Sequence, residues 1–215
     1  KKSNFSRELR RKFPLKEGAR LISMDILVPE ELKARLADLN KKTKEIFSSL
    51  PSIKKRWMEP LSLRQEIFRD YNLSLRFKVL SAVPWRIWGE KKRHRTCQQI
   101  IESIYYCIDR AAKVFQERKK SLDDIEEVFS IPPSIKKNKN LLFQYLSVAQ
   151  QAFKSYKKLI SLGIKEREAI FLIPRGVKVD IIQEYDLYNL LTGYYPLRLC
   201  QTAEEEMRRN TAKEV

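Results

Sequence analysis

The residues best suited to chemistry stand together in Arg93-His94-Arg95, followed by seven intervening residues, Ser103, and then Tyr105 and Tyr106. Two guanidiniums offer rigid donor forks for phosphate oxygens, and the imidazole between them adds a donor or an acceptor. A helix starting just beyond, near Cys97, would lend free backbone N–H groups and a partial positive charge to the same ligand. The chemistry this suits is the holding of a phosphorylated molecule. His94 is the only histidine, so any acid–base or Ser/His mechanism must pass through it or not occur. Ser103 has no neighbouring base in sequence, which argues against a serine nucleophile. On these residues alone a solvated basic turn stays open beside the anion grip.

The elements that must position the triplet can be read on either side of it. Leu73, Leu75, Phe77 and Val79 alternate with polar residues, which predicts a half-buried strand that Pro84 ends, and Gly89-Glu90-Lys91-Lys92 reads as a turn. Residues 97–118 read as a helix with Ile100, Ile101, Ile104, Ile108, Ala111 and Phe115 on one face. Upstream, Pro29-Glu30-Glu31 opens an amphipathic helix to about Phe47 through Leu32, Leu36, Leu39 and Ile46. Pro51 and Pro60 bracket a basic connector, and Ser62 caps a short helix through Phe68. Downstream, Pro132-Pro133 breaks the chain before a long helix from about Asn140 to Leu162, with Gly163 at its C-terminal stop. Leu172-Ile173-Pro174 and Arg175-Gly176 form a turn, Val177, Val179 and Ile181 a second strand, and helices near 186–192 and 201–212 follow. Many helices with at least two strands far apart in sequence make this an α+β domain, mostly helical with a small antiparallel or mixed sheet.

Composition narrows the partners. At 215 residues the chain is long enough to bury a core without disulfide or metal, and residues 19–215 read as one domain behind a basic arm over 1–18. Lys and Arg number 44 against 27 Asp and Glu, a surplus of +17 that predicts an anionic partner such as a nucleotide, a phosphorylated cofactor or nucleic acid. Three widely spaced cysteines and one histidine exclude the usual zinc site, and no metal is expected. Free thiols point to a reducing, cytoplasmic setting, and no apolar run is long enough to span a membrane. Trp85 and Trp88, among Lys and Arg, could stack bases as single-strand binders do, but packing beneath the basic surface is the reading the residues favour, as it is for Trp57.

Arg-His-Arg with Ser103 resembles the signature of the flavin-dependent thymidylate synthases. Further segments match that family in order: Gly18-Ala19-Arg20 with Ser23, Ile131-Pro132-Pro133, Leu162-Gly163-Ile164, Glu168-Ala169-Ile170, Ile173-Pro174, Leu197-Arg198, and Ala203-Glu204-Glu205-Glu206-Met207. The resemblance implies transfer of a methylene from methylenetetrahydrofolate to dUMP, with FAD and NADPH supplying the reduction, in a homotetramer whose sites are shared between subunits. It implies that Arg93, His94, Arg95 and Asp186 hold FAD. It also implies that Ser103, Tyr105 and Arg198 lie at the nucleotide, with Ser103 and Arg198 the catalytic positions. Several family residues are changed. Tyr105 and Ile170 stand where arginines grip dUMP, Asp186 and Pro196 where asparagines stand, and Glu204 replaces a glutamine. The family's early histidine-bearing segment has only Met58-Glu59-Pro60 as a remnant. A charged phosphate contact contributes about 1.5–3 kcal/mol, so dUMP binding is expected to be weak. A catalytically degenerate copy paired with an active paralogue, and a nucleic-acid-binding or structural paralogue using its basic surface, are the alternatives.

Overall fold

The computed structural model describes the backbone of residues 11–12, 18–26, 29–48, 53–117 and 120–214, and their side chains except those of 46, 47 and 53–61. Most of the basic arm expected over 1–18 lies outside the described residues, as do the side chains of Trp57, Met58, Glu59 and Pro60.

The two strands expected from alternating residues, β2 (Leu75–Pro84) and β4 (Lys178–Asp186), pair antiparallel at the centre of one sheet, with Val79 opposite Gln183 and Ser81 opposite Ile181. Strand β1 (Ala19–Ile26) adds to the free edge of β2 and β3 (Gln98–Ile101) to that of β4, giving the order β1-β2-β4-β3. β2 starts later than its pattern suggests. Asn72 donates to Asp186 and accepts from the Tyr188 N–H, which holds Asn72–Ser74 in a 3₁₀ turn and leaves Leu73 exposed. β1 escapes sequence reading because a register shift between Leu21 and Ser23 breaks its alternation.

The helices are α1 (Glu30–Ser48), α2 (Ile53–Tyr71), α3 (Trp85–Lys91), α4 (Ile104–Gln116), α5 (Leu122–Val128), α6 (Pro133–Lys136), α7 (Lys139–Ser161), α8 (Glu166–Ala169), α9 (Tyr195–Arg198) and α10 (Glu205–Ala212). α1 and α7 fall where their patterns place them. Asn138 caps α7 by accepting from the N–H groups of Asn140 and Leu141, and Gly163 takes a positive φ of 86° just past its end. α2 runs through Pro60 instead of starting at Ser62. Pro60 removes one helical hydrogen bond, but Ile67 of α2 is buried against Leu32 and Leu39 of α1, so tertiary packing outweighs the break.

Two departures bear on the triplet. The turn expected at Gly89–Lys92 is the end of α3, which buries Ile87 and Lys91 one helical turn apart. The helix expected from Cys97 starts only at Ile104. The Glu102 N–H donates to the Asp180 carbonyl and its carboxylate accepts from the Asp180 N–H, so 98–101 are drawn into the sheet as β3. Main-core packing joins α4 and α7 to the sheet. Ile108, Ala111 and Phe115 meet Phe153, Tyr156, Phe129, Val179 and Ile181.

Candidate functional site

α3 ends by delivering Lys91 inward and the triplet outward. The N–H of Arg93 donates to the Glu90 carbonyl and that of His94 to the Lys91 carbonyl, so 92–96 form a tight turn before β3. Lys91 is fully buried; its ammonium donates to Gln183 Oε1 at 3.0 Å and forms an ion pair with Glu214, beyond the end of α10. Tyr185 also donates to Glu214, at 2.9 Å. Burial disfavours the charged ammonium, but Glu214 together with Tyr194 more than offsets this and holds its pKa up.

His94 is half-buried. Its Nε2 accepts from Arg198 Nε at 2.6 Å, and its ring meets that of Tyr194 edge-on at 5.0 Å. Arginine only donates, so Nε2 carries no proton and Nδ1–H is left to face the Gly193 backbone. Burial, and then the Arg198 guanidinium, push the His94 pKa down to about 4. His94 is therefore a neutral strut under Arg198. Arg198 is held on its other side by Glu90, with Nη1 to Oε2 at 3.2 Å. The side chains of Arg93 and Arg95 are exposed and enter no ion pair or hydrogen bond among the described residues.

Segment 186–198 cradles the turn. Asp186, closing β4, accepts from the N–H and the Nδ2 of Asn189 at 3.0 and 2.7 Å. Asn189 in turn bonds Thr96 and Cys97. The residues expected as a helix near 186–192 form a π turn (Asn189–Gly193) followed by α9, which puts Asn189, Gly193, Tyr194 and Arg198 against the turn. Asp186 thus stands behind the turn and reaches it through Asn189.

Ser103, Tyr105 and Ile170 lie elsewhere. Ser103 is the exposed residue preceding α4 and makes no side-chain capping bond. Since β3 intervenes, the triplet is not at the start of the Ser103 helix; β3 alone spans about 10 Å. Within one chain, β3 lies between Ser103 and the turn that Arg198 bonds. Tyr105 is partly exposed on the first turn of α4, and Ile170 packs against the main core. Trp85 and Trp88 pair at 4.8 Å and pack on the core, with Lys92 over the Trp88 ring, in keeping with packing and not with a stacking platform.

Sequence reading missed Glu90, Lys91, Asn189, Tyr194 and Glu214. The i, i+4 spacing of Ile87 and Lys91 carries the one local signal, since it puts Lys91 on a buried helical face. The others depend on contacts between distant segments.

An α+β domain that clamps a basic turn between the ends of a helix and a sheet defines the class. Residues 66–215 match the thymidylate synthase complementing protein family, and the chain belongs to that family. It is similar to the flavin-dependent thymidylate synthase of Pyrococcus furiosus, 36% identical over 86 residues, 40% of this chain and 35% of that protein. It is likewise similar to the enzyme of Saccharolobus solfataricus, 31% identical over 118 residues, 54% of this chain and 40% of that one. The chain thus spans about a third to two fifths of the length of the curated relatives it matches. Thymidylate synthase X from Helicobacter pylori, crystallised with FAD and dUMP, shares the fold at a TM-score of 0.55 and 15% identity, with 91% of this chain and 90% of that one covered.

Proposed function

We propose that this chain is a flavin-dependent thymidylate synthase-like protein that holds FAD at the Arg93–Arg95 turn and a pyrimidine nucleotide beside it. One observation carries the reading. Among the described residues Arg93 and Arg95 have exposed, unpaired side chains on a turn whose remaining parts are fixed, with His94 bonded to Arg198 at 2.6 Å. Two exposed guanidiniums on a rigid turn fit the diphosphate of a dinucleotide. The flavin, when bound, supplies the reducing equivalents for methylene transfer from methylenetetrahydrofolate, which NADPH restores. Arg93 and Arg95 would bind phosphate, His94 would hold Arg198 at a fixed height, and Asp186 would act through Asn189 and not by touching cofactor.

Ser103 and Tyr105 serve the nucleotide in this reading. Because β3 lies between them and the turn that Arg198 bonds, the reading has residues from more than one copy complete the site, as in a shared-site homo-oligomer. With Tyr105 and Ile170 in place of two cations, dUMP phosphate would face a phenol and an aliphatic side chain, so weak dUMP binding and slow or absent turnover are expected. Titrating the protein with FAD, followed by flavin fluorescence, tests the cofactor half. Tritium release from labelled dUMP with FAD, NADPH and methylenetetrahydrofolate tests the reaction. Absence of FAD binding would overturn the reading, and rapid turnover would overturn the weakened nucleotide grip.

A further inference from the structure

We propose that Asn189 is the positioning residue of the Arg93–Arg95 turn, a buried amide that sets the turn and so the directions of its two exposed guanidiniums without reaching a ligand. The consequence for ligand binding rests on the function proposed above; the positioning itself does not.

Asn189 is fully buried. Its Oδ1 accepts from Thr96 Oγ1 at 2.9 Å and from Cys97 Sγ at 3.1 Å, while its Nδ2 donates to the Thr96 carbonyl at 3.3 Å and to Asp186 Oδ1 at 2.7 Å. An amide has two acceptor lone pairs and two donor hydrogens, and all four are used. Only a side chain with an acceptor on one side and donors on the other fits this set. Aspartate would turn a carboxylate against Asp186 and against the Thr96 carbonyl. Leucine, similar in size, would strand the Thr96 carbonyl and take one of its donors from the Asp186 carboxylate. The Cys97 thiol can serve as a donor because burial pushes its pKa up to about 12 and keeps it neutral.

The amide grips the Thr96 hydroxyl and carbonyl, immediately after Arg95. Asp186 fixes the amide in turn, and Asn72 donates to Asp186 at 3.4 Å, so the set is braced from the end of α2. The opposite flank of the turn is fixed by Arg198 and Gly193 through His94. Four residues of one segment, 186–198, therefore set both flanks, and Asn189 alone bonds the flank that follows Arg95.

The single histidine makes this testable without any ligand. The 15N–1H spectrum of the imidazole contains one spin system, which reports whether His94 keeps its Nδ1–H tautomer among Arg198, Lys91, Tyr194 and Glu90. Asn189→Ala and Thr96→Val are the variants; Thr96 is exposed, so the second keeps the fold if the first does not. Both are expected to let His94 titrate closer to its ordinary value and exchange between tautomers. Both are also expected to weaken FAD binding by about tenfold, as a small misplacement of binding groups does. Asp186→Asn combined with Asn189→Asp restores a donor–acceptor pair between the two and is expected to recover part of the loss seen in Asn189→Asp alone. A fall in melting temperature with wild-type His94 titration and FAD affinity in both variants would overturn the proposal and leave Asn189 as core filler. If the wild type binds no FAD, the proposed function fails while the His94 spectrum still decides the role of Asn189.

Discussion

Replacing Glu90 by glutamine is expected to tighten anion binding at the turn. Arg198 is 19% exposed and Glu90 35%, and their closest N–O approach is 3.2 Å. For two unit charges about 4 Å apart, the attraction runs from about 1 kcal/mol in water to about 4 kcal/mol at a surface-like dielectric. Solvent on one side of the pair places it near the lower end, at about 1–2 kcal/mol. A phosphate that approaches Arg198 must compete with this carboxylate and also meets its repulsion. Glutamine is nearly isosteric and keeps a hydrogen-bond acceptor for the guanidinium while removing the charge. Affinity for inorganic pyrophosphate or FAD is thus expected to rise about fivefold to thirtyfold, measured by isothermal titration calorimetry at low salt. The gain should shrink as salt approaches 1 M, where the screening length falls to about 3 Å. Unchanged or weaker binding at low salt would refute the reasoning, since Glu90 would then orient Arg198 instead of competing for it.

Folded His94 resists protonation until about pH 4, whereas an unfolded imidazole protonates near 6.5. Its contribution to stability is complete above 6.5 and is lost as the pH falls toward 4, by about 1–2 kcal/mol once solvent screening of a half-exposed ring is allowed for. The wild type is expected to lose this much more than His94→Gln in urea melts between pH 7 and pH 4. Glu214→Gln leaves the Lys91 ammonium buried without its counter-charge and is expected to cost about 3–5 kcal/mol, read from urea denaturation, whereas Lys91→Met with Glu214→Leu should cost much less. Tyr105→Arg on the partly exposed first turn of α4 is expected to strengthen dUMP binding by about tenfold without loss of stability. Ile170→Arg should instead lower the melting temperature, because Ile170 packs on the main core.

What the sequence disclosed was what depends on near neighbours. Alternation from Leu75 to Val79 marked β2, and Gly163 marked the end of α7, because period and backbone sterics act within a few residues. The start of α4 is hidden in the sequence because Ile100 and Ile101 continue a helical period with Ile104 and Ile108; pairing with Ile181–Glu184 of β4, far downstream, draws them into the sheet. The triplet was legible by residue type and order, and so was Arg198. Their direct contact was not, since no local pattern ties residue 94 to residue 198. Asp186 is legible by its place in the family pattern, but its bonds to Asn189 are not, since no spacing rule marks that residue.

The pairing of β2 with β4 has a consequence for how the protein is made. Between the end of β2 and the start of β4 lie roughly 90 residues, which a ribosome adds in about 5–20 s. For that interval β2 is a strand with an open edge and a hydrophobic face, the arrangement most prone to pair with another chain. Lys91 waits longer still, since its carboxylate partner is 123 residues downstream. The nascent chain therefore carries an uncompensated core ammonium and an unpaired central strand at once. Such non-local closure also predicts slow refolding in vitro, and a yield that drops as protein concentration rises.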